Sequence, residues 1–204
     1  MNIAPYNEDQ TDALQEVANI AMGQAGDSLA RIMGHFVELS VPRIRLVTLK
    51  DLVNTVTDMV GVKEDVAAVR QAFYNQLRGE AIVVIKQSGA DELAKLMDYD
   101  DVVDGEAEEE LLLEVANLLV GAIINGISDT LETELGFSAP SLMTACAPLE
   151  RVLTPDQLTW SHALLVEVNF CIEQHNFKSH LLMFMTEESI DTLRGILDQF
   201  LDGV

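Results

Sequence analysis

The sequence predicts an α+β protein of two halves related by a pseudo-twofold axis, each a long helix plus about three largely antiparallel strands and shorter helices. Three observations carry this prediction. The tetrapeptide Glu16-Val17-Ala18-Asn19 recurs as Glu114-Val115-Ala116-Asn117, 98 residues later (114 − 16). The match continues at the same spacing through Gly23 and Gly121, Ser40 and Ser138, and Pro42 and Pro140. Each copy starts with helical periodicity and runs on into alternating apolar segments separated by turn residues. The chain, 1–204, is expected to form a single domain of two internal repeats, about 8–97 and 106–201, joined by an acidic linker. Neither repeat is expected to stand alone, and pairing them would bury a shared core and join the strands.

In chain order, the first helix spans Asn7 to about Phe36, with an apolar stripe of Leu14, Val17, Ile20, Ala21, Ala25, Leu29, Ile32 and Met33. Glu16, Asn19 and Gly23 lie on a different, polar face, and Gly34 is its stop signal. Pro42 opens an alternating strand over Arg43–Val47, and a short helix covers Leu49–Thr57. Two strands, Val66–Tyr74 and Glu80–Ile85, flank a turn at Gly79. Ser88 suits the N-cap of a helix over Ala90–Met97. The stretch Asp98 to Glu110 holds eight acids and reads as a solvated linker running into a helix start, where acids complement the helix dipole.

The second half repeats this order. Its long helix is expected over Ala107–Leu135, ending at Gly136, with a strand after Pro140 and a short turn or helix at Thr154-Pro155-Asp156. Alternation of Val166, Val168, Phe170 and Ile172 with Glu167, Asn169, Cys171 and Glu173 reads as a half-buried strand, and Leu181–Met185 as its partner. A final helix runs from Thr186 to near Leu201. Leu93 and Leu193 align at 100 rather than 98 residues, which a small loop insertion accounts for.

Composition narrows the function. The net charge is −22, which argues against nucleic acid and against an anionic membrane surface, and favours partners with basic surface. No uninterrupted apolar run approaches membrane-spanning length, and the first residues lack the basic and apolar regions of a signal peptide, so a cytoplasmic location is expected. Cys146 and Cys171 are then expected to stay reduced and buried. Gly-rich phosphate loops, Cys-x-x-Cys, His-Glu-x-x-His and Gly-x-Ser-x-Gly are all absent, and His35, His162, His175 and His180 show no ligand spacing. An enzyme built on this chain needs very few side chains of its own.

The repeated pair is therefore the candidate. Glu-x-x-Asn sets an acid and an amide one turn apart on one helix face. A helix built only for packing would avoid Asn, which competes with the backbone for hydrogen bonds. Taken singly, Glu16 or Glu114 reads as a solvated helix acid, and Asn19 or Asn117 as an amide bonded to a neighbouring loop. Their in-register repetition favours a site, although polar contacts across the pseudo-twofold axis would also preserve both pairs. Gly23 and Gly121 suit close helix packing or close approach of a partner, and Pro42 and Pro140 set the start of strands.

The segment Leu14-Gln15-Glu16-Val17-Ala18-Asn19-Ile20-Ala21-Met22-Gly23-Gln24-Ala25, followed by Leu39-Ser40-Val41-Pro42, resembles the signature of the CheC/CheX/FliY family of chemotaxis phosphatases, and Glu114–Gly121 with Ser138-Ala139-Pro140 resembles a second copy. Length and two motifs are most similar to the CheC branch; CheX carries one motif and FliY a further domain. The resemblance implies a phosphatase that hydrolyses the aspartyl phosphate of a CheY-type response regulator. Asn19 and Asn117 would orient the attacking water, and Glu16 and Glu114 would dock on a lysine of the regulator. It implies no cofactor on this chain, with Mg²⁺ expected on the phosphorylated regulator. Its partners would be a phosphorylated CheY-type receiver domain and, in some members, a CheD-type deamidase. The second helix departs from the pattern at Ile123-Ile124-Asn125. A non-catalytic module that binds a response regulator, a flagellar switch or a CheD-type partner is the alternative.

Overall fold

A capping box starts the chain's first helix, α1 (Glu8–Met33). The Asn7 side chain accepts from the Gln10 backbone N–H at 2.8 Å, while the Gln10 side chain accepts from the Asn7 N–H at 3.1 Å. Such a cap contributes about 1 kcal/mol. The helix ends at Gly34, whose left-handed φ of 68° suits glycine. These elements belong to a computed structural model that describes residues 6–61, 65–86, 105–153, 162–172 and 178–202.

After α1 come β1 (Val37–Leu39), β2 (Arg43–Thr48), α2 (Leu49–Val60), β3 (Val66–Asn75) and β4 (Gly79–Lys86). The second half supplies α3 (Gly105–Thr130), β5 (Leu135–Phe137), β6 (Ser141–Ala147), α4 (Leu149–Val152), β7 (His162–Ile172), β8 (Lys178–Met185) and α5 (Glu187–Asp202). The eight strands among the described residues form one antiparallel sheet, ordered β1-β7-β8-β4-β3-β5, with β2 also on β7 and β6 also on β3. The order reads alike from either edge. At its centre Ile82 of β4 faces Leu182 of β8. The halves exchange strands: β1 and β2 join β7 of the second half, while β5 and β6 join β3 of the first.

Alternation along the strands feeds two cores. Ala67, Val69, Phe73, Val83, Ile85, Val166, Val168, Phe170, Leu181 and Met183 face α1, α3 and α5. Val66, Ala68, Ile82, Val84, Leu165, Leu182 and Phe184 face the other way, under α2 and α4. Helix α3 is long and apolar enough to cross a membrane by length and composition, but Leu111, Leu112, Val115, Ala116, Leu119, Val120, Ile123 and Ile124 are buried in the first core. At the α1–α3 crossing, a Cβ on Gly126 would come within 2.6 Å of the Ala21 carbonyl oxygen, so this position holds the helices close.

Several expectations change. Helix α3 stops at Thr130, not Leu135; Glu132 takes a positive φ of 50°, and Gly136 lies inside β5. The turn after β3 uses Asn75 at φ 88°, while Gly79 opens β4 where a side chain would collide with the Phe184 carbonyl and the Phe73 ring. Along the strand expected to be half-buried, Leu165 packs under α2 and α4 and Glu167 is 0 % exposed, whereas Asn169 and Cys171 stay half-buried as expected. On α1, Ala18 and Met22 are buried, whereas Ile20 and Ile32 are exposed. Cys146 is exposed and Cys171 partly so, and neither forms a disulfide among the described residues. Strands β1 and β5 add to the expected set and give each half four strands among the described residues. The helix over Ala90–Met97, the Thr154-Pro155-Asp156 turn, His175 and residues 98–104 of the linker lie outside the described residues.

Candidate functional site

Glu16 and Asn19 sit one turn apart on the exposed face of α1, and Glu114 and Asn117 on that of α3. All four side chains are exposed, while Val17, Ala18, Val115 and Ala116 between them are buried. Each helix thus buries the middle of its tetrapeptide and presents the ends to solvent. The two helices pack against one another, so both pairs belong to the same helical layer.

The Ser-x-Pro segments are fixed against the sheet by matching bonds. The Ser40 N–H donates to the Asn169 carbonyl at 2.9 Å, and the Ser40 hydroxyl accepts from the Asn169 N–H at 2.9 Å. Ser138 does the same with Ala72, at 2.8 and 3.1 Å. The serine is therefore a backbone clamp that ends β1 or β5 in register with β7 or β3.

Each Asn is joined to its Ser-x-Pro segment through a glutamine, and the two glutamines come from different places. Gln15, one turn before Asn19 on α1, donates from Nε2 to Asn19 Oδ1 at 3.3 Å and to the Pro42 carbonyl at 3.4 Å. Gln71, on the helix-facing side of β3 and 1 % exposed, donates from Nε2 to Asn117 Oδ1 at 2.9 Å and to the Ser138 carbonyl at 2.5 Å. Sequence reasoning missed both glutamines. A polar residue at a buried strand position of β3 was the available signal for Gln71.

The glycines one turn beyond the amides also differ. A Cβ on Gly121 would lie 3.2 Å from the Phe137 ring, so that ring seats β5 on α3. Nothing lies within 4 Å of the same position on Gly23. There a groove of about 590 Å³ opens beside Asn19, lined by Gly23, Gly26, Phe36, Val41 and Pro42 among others. Its rim is apolar, with Phe36 62 % and Val41 70 % exposed. Among the described residues no group of three or more His, Cys, Asp or Glu gathers as a metal site.

A second polar cluster lies on the opposite face of the sheet. The buried Glu167 carboxylate accepts from Arg43 Nε at 2.6 Å and meets His180 Nδ1 at 3.0 Å. Burial pushes its pKa up, but the bonds to His180 and Arg43 outweigh burial and hold it below the ordinary carboxylate value.

An antiparallel sheet under two paired helices, each displaying an exposed acid and amide, is the arrangement that the comparisons with known proteins match. The CheC-like family model matches residues 10–45, the span from α1 through the first Ser-x-Pro segment into β2. The CheY-P phosphatase CheC of Bacillus subtilis (strain 168) is 23 % identical over 196 residues, covering 91 % of this chain and 92 % of that protein. The crystal structure of Thermotoga maritima FliY superposes with a TM-score of 0.71 at 18 % identity, covering 96 % of this chain and 99 % of that one. A chain of the FliG–FliM complex from H. pylori superposes with a TM-score of 0.59 at 12 % identity, covering 93 % and 100 %. The chain resembles the CheC/CheX/FliY family in sequence and shares its fold.

Proposed function

We propose that the protein is a phosphatase for the aspartyl phosphate of a CheY-type response regulator, working in the cytoplasm. The observation that carries this reading is the pair of solvent-facing Glu-x-x-Asn turns, Glu16/Asn19 and Glu114/Asn117, on neighbouring helices. The likeness to a CheY-P phosphatase supports it. An acyl phosphate is already reactive, and the regulator would carry the Mg²⁺, so this chain has mainly to orient water. The amide oxygen of Asn19 or Asn117 accepts from the water while its NH₂ faces the phosphoryl group. Water oxygen attacks phosphorus in line, and the P–O bond to the aspartyl carboxylate breaks. The carboxylate leaves with the bonding pair, and the water proton passes to phosphate or solvent. Glu16 and Glu114 grip a lysine of the regulator by a charge-assisted bond and fix the helix in the cleft.

The test mixes the purified chain with a phosphorylated CheY-type receiver domain and follows loss of the acyl phosphate. Asn19→Ala and Asn117→Ala should each slow hydrolysis, and the double variant should lose about 10²-fold while still binding. Wild-type turnover by the double variant would sink the catalytic reading. The second reading, a docking module without hydrolysis, draws on the likeness to a chain of the FliG–FliM complex. Under that reading the partner is a regulator, a flagellar switch component or a CheD-type deamidase, and intact protein leaves the acyl phosphate untouched.

A further inference from the structure

We propose that Gln71 is a positioning residue for Asn117 and makes the second site the better organised of the two; this rests on the phosphatase reading above. The argument begins with what Gln71 is bonded to. Its Nε2 meets two oxygens, Asn117 Oδ1 at 2.9 Å and the Ser138 carbonyl at 2.5 Å. Turning the Gln71 amide over would set oxygen against the Ser138 carbonyl, so that carbonyl fixes which end of Gln71 faces Asn117. Gln71 then presents a donor, and Asn117 has to answer with its oxygen. The orientation of the Asn117 amide is thereby set from the strand beneath it. An amide oxygen has two lone pairs, and Gln71 takes one. The other, and both N–H groups, remain for a water and a phosphoryl oxygen.

Gln71 is itself held rigidly. It is 1 % exposed, and its Oε1 is buried without a hydrogen-bond partner among the described residues. An unpartnered buried acceptor is destabilising, and an apolar side chain at this position would avoid it. That a glutamine stands here nonetheless points to a role for its donor end. The Ser138 segment it touches is fixed in turn by the serine clamp on Ala72 and by Phe137 seated over Gly121.

The first site lacks this support. The serine clamps equate Ala72 with Asn169, so the counterpart of Gln71 on β7 is Val168, which has no donor. Asn19 is met instead by Gln15, from its own helix near the surface, through longer contacts of 3.3 and 3.4 Å. The counterpart of Gln15 on α3 is Leu113. Each site thus reaches its Ser-x-Pro segment through one glutamine, a loose one on α1 and a buried one on β3. A catalytic amide that is already oriented loses less freedom on reaching the transition state, which raises kcat and leaves binding alone.

The experiment is a double-mutant cycle on the full chain with phosphorylated CheY-type receiver as substrate. In Asn19→Ala protein, where only the second site can act, Gln71→Met should lower kcat roughly five- to tenfold with KM unchanged, the range expected for loss of one oriented hydrogen bond. Once Asn117 is Ala, the same substitution should lose its effect. No fall in the first background, or an equal fall in both, overturns the proposal, the second by marking Gln71 as merely structural. A measurement that needs no core variant stands beside it. In ¹⁵N-labelled protein the Gln71 side-chain NH₂ should exchange slowly with solvent, and its signals should shift on Asn117→Ala; fast exchange or an unmoved signal overturns the tether. Unimpaired hydrolysis by Asn19→Ala/Asn117→Ala protein removes the phosphatase reading and this proposal together, an outcome distinct from all the others.

Discussion

At the residue scale, the two acids and the buried carboxylate obey opposite rules. Glu16 and Glu114 are exposed helix acids whose removal leaves no buried group unpaired. If they grip a lysine, Glu16→Ala/Glu114→Ala protein should bind phosphorylated regulator more weakly as well as turn it over more slowly, unlike the Asn variants. Reversal to Lys should be worse than Ala, because it sets like charges together in a cleft. A binding titration decides, and unchanged affinity with unchanged turnover would return both acids to ordinary solvated positions. Glu167 is the converse, a carboxylate sealed between Arg43 and His180 with its pKa depressed. A depressed folded pKa gives stability that is present above the unfolded value of about 4.3 and is lost as pH falls through the lower folded value. Acid unfolding of Glu167→Gln protein should therefore show a shallower pH dependence in that window. Arg43→Met should cost about 2 kcal/mol at neutral pH, since it strips one partner from a buried charge, and urea unfolding measures it. The Glu-x-x-Asn pairs were legible because they recur in register along one chain direction. The two glutamines were not: a contact between Gln71 and Asn117 spans 46 residues and depends on how β3 lies under α3.

At the scale of elements, periodicity found the long helices and the long strands, and it failed where length or neighbours decide. Strands β1 and β5 have three residues each, too few to alternate, and exist because the serine clamps and β7 or β3 hold them. Helix α3 ends five residues before its apolar pattern does, because the backbone abandons the spacing that Leu131 and Leu135 continue. Ser128 Oγ donates to the Thr133 carbonyl and closes the turn instead. The acid at Glu167 made β7 look half-buried, since alternation cannot reveal that Arg43 and His180 supply partners from β2 and β8. Gly126 shows how one position governs an element pair. Gly126→Val should push α3 off Ala21, costing about 1–3 kcal/mol as overpacking does. It should also lower turnover at both sites, because both motifs ride on these helices. Thermal melts read the first effect and acyl-phosphate loss the second; full activity at full stability would show that the crossing tolerates displacement.

At the scale of the whole molecule, the exchange of strands between the halves is the organising feature. Helix–strand order within each half could be read from the repeat, but the crossing over of β1, β2, β5 and β6 could not. A strand's face follows from its own sequence, whereas its neighbour depends on the rest of the sheet. Separately produced fragments 1–104 and 105–204 should each lack cooperative unfolding, and mixing them should restore a sheet with both ladders complete. Circular dichroism and size-exclusion chromatography test this, and a fragment that melts cooperatively as a monomer would show that the exchanged strands are dispensable.

The same crossing over sets a clock on synthesis. Thr48 at the end of β2 pairs with His162 at the start of β7, 114 positions along the chain (162 − 48). On a ribosome adding about 5–20 residues per second, β2 waits roughly 6–23 s for the strand it joins. During that interval its hydrogen-bonding edge is open. Nascent chains crowded on one message can then lend β7 to a neighbour's β2, so the yield of correctly closed monomer should depend on how densely ribosomes are loaded as well as on the amino-acid sequence.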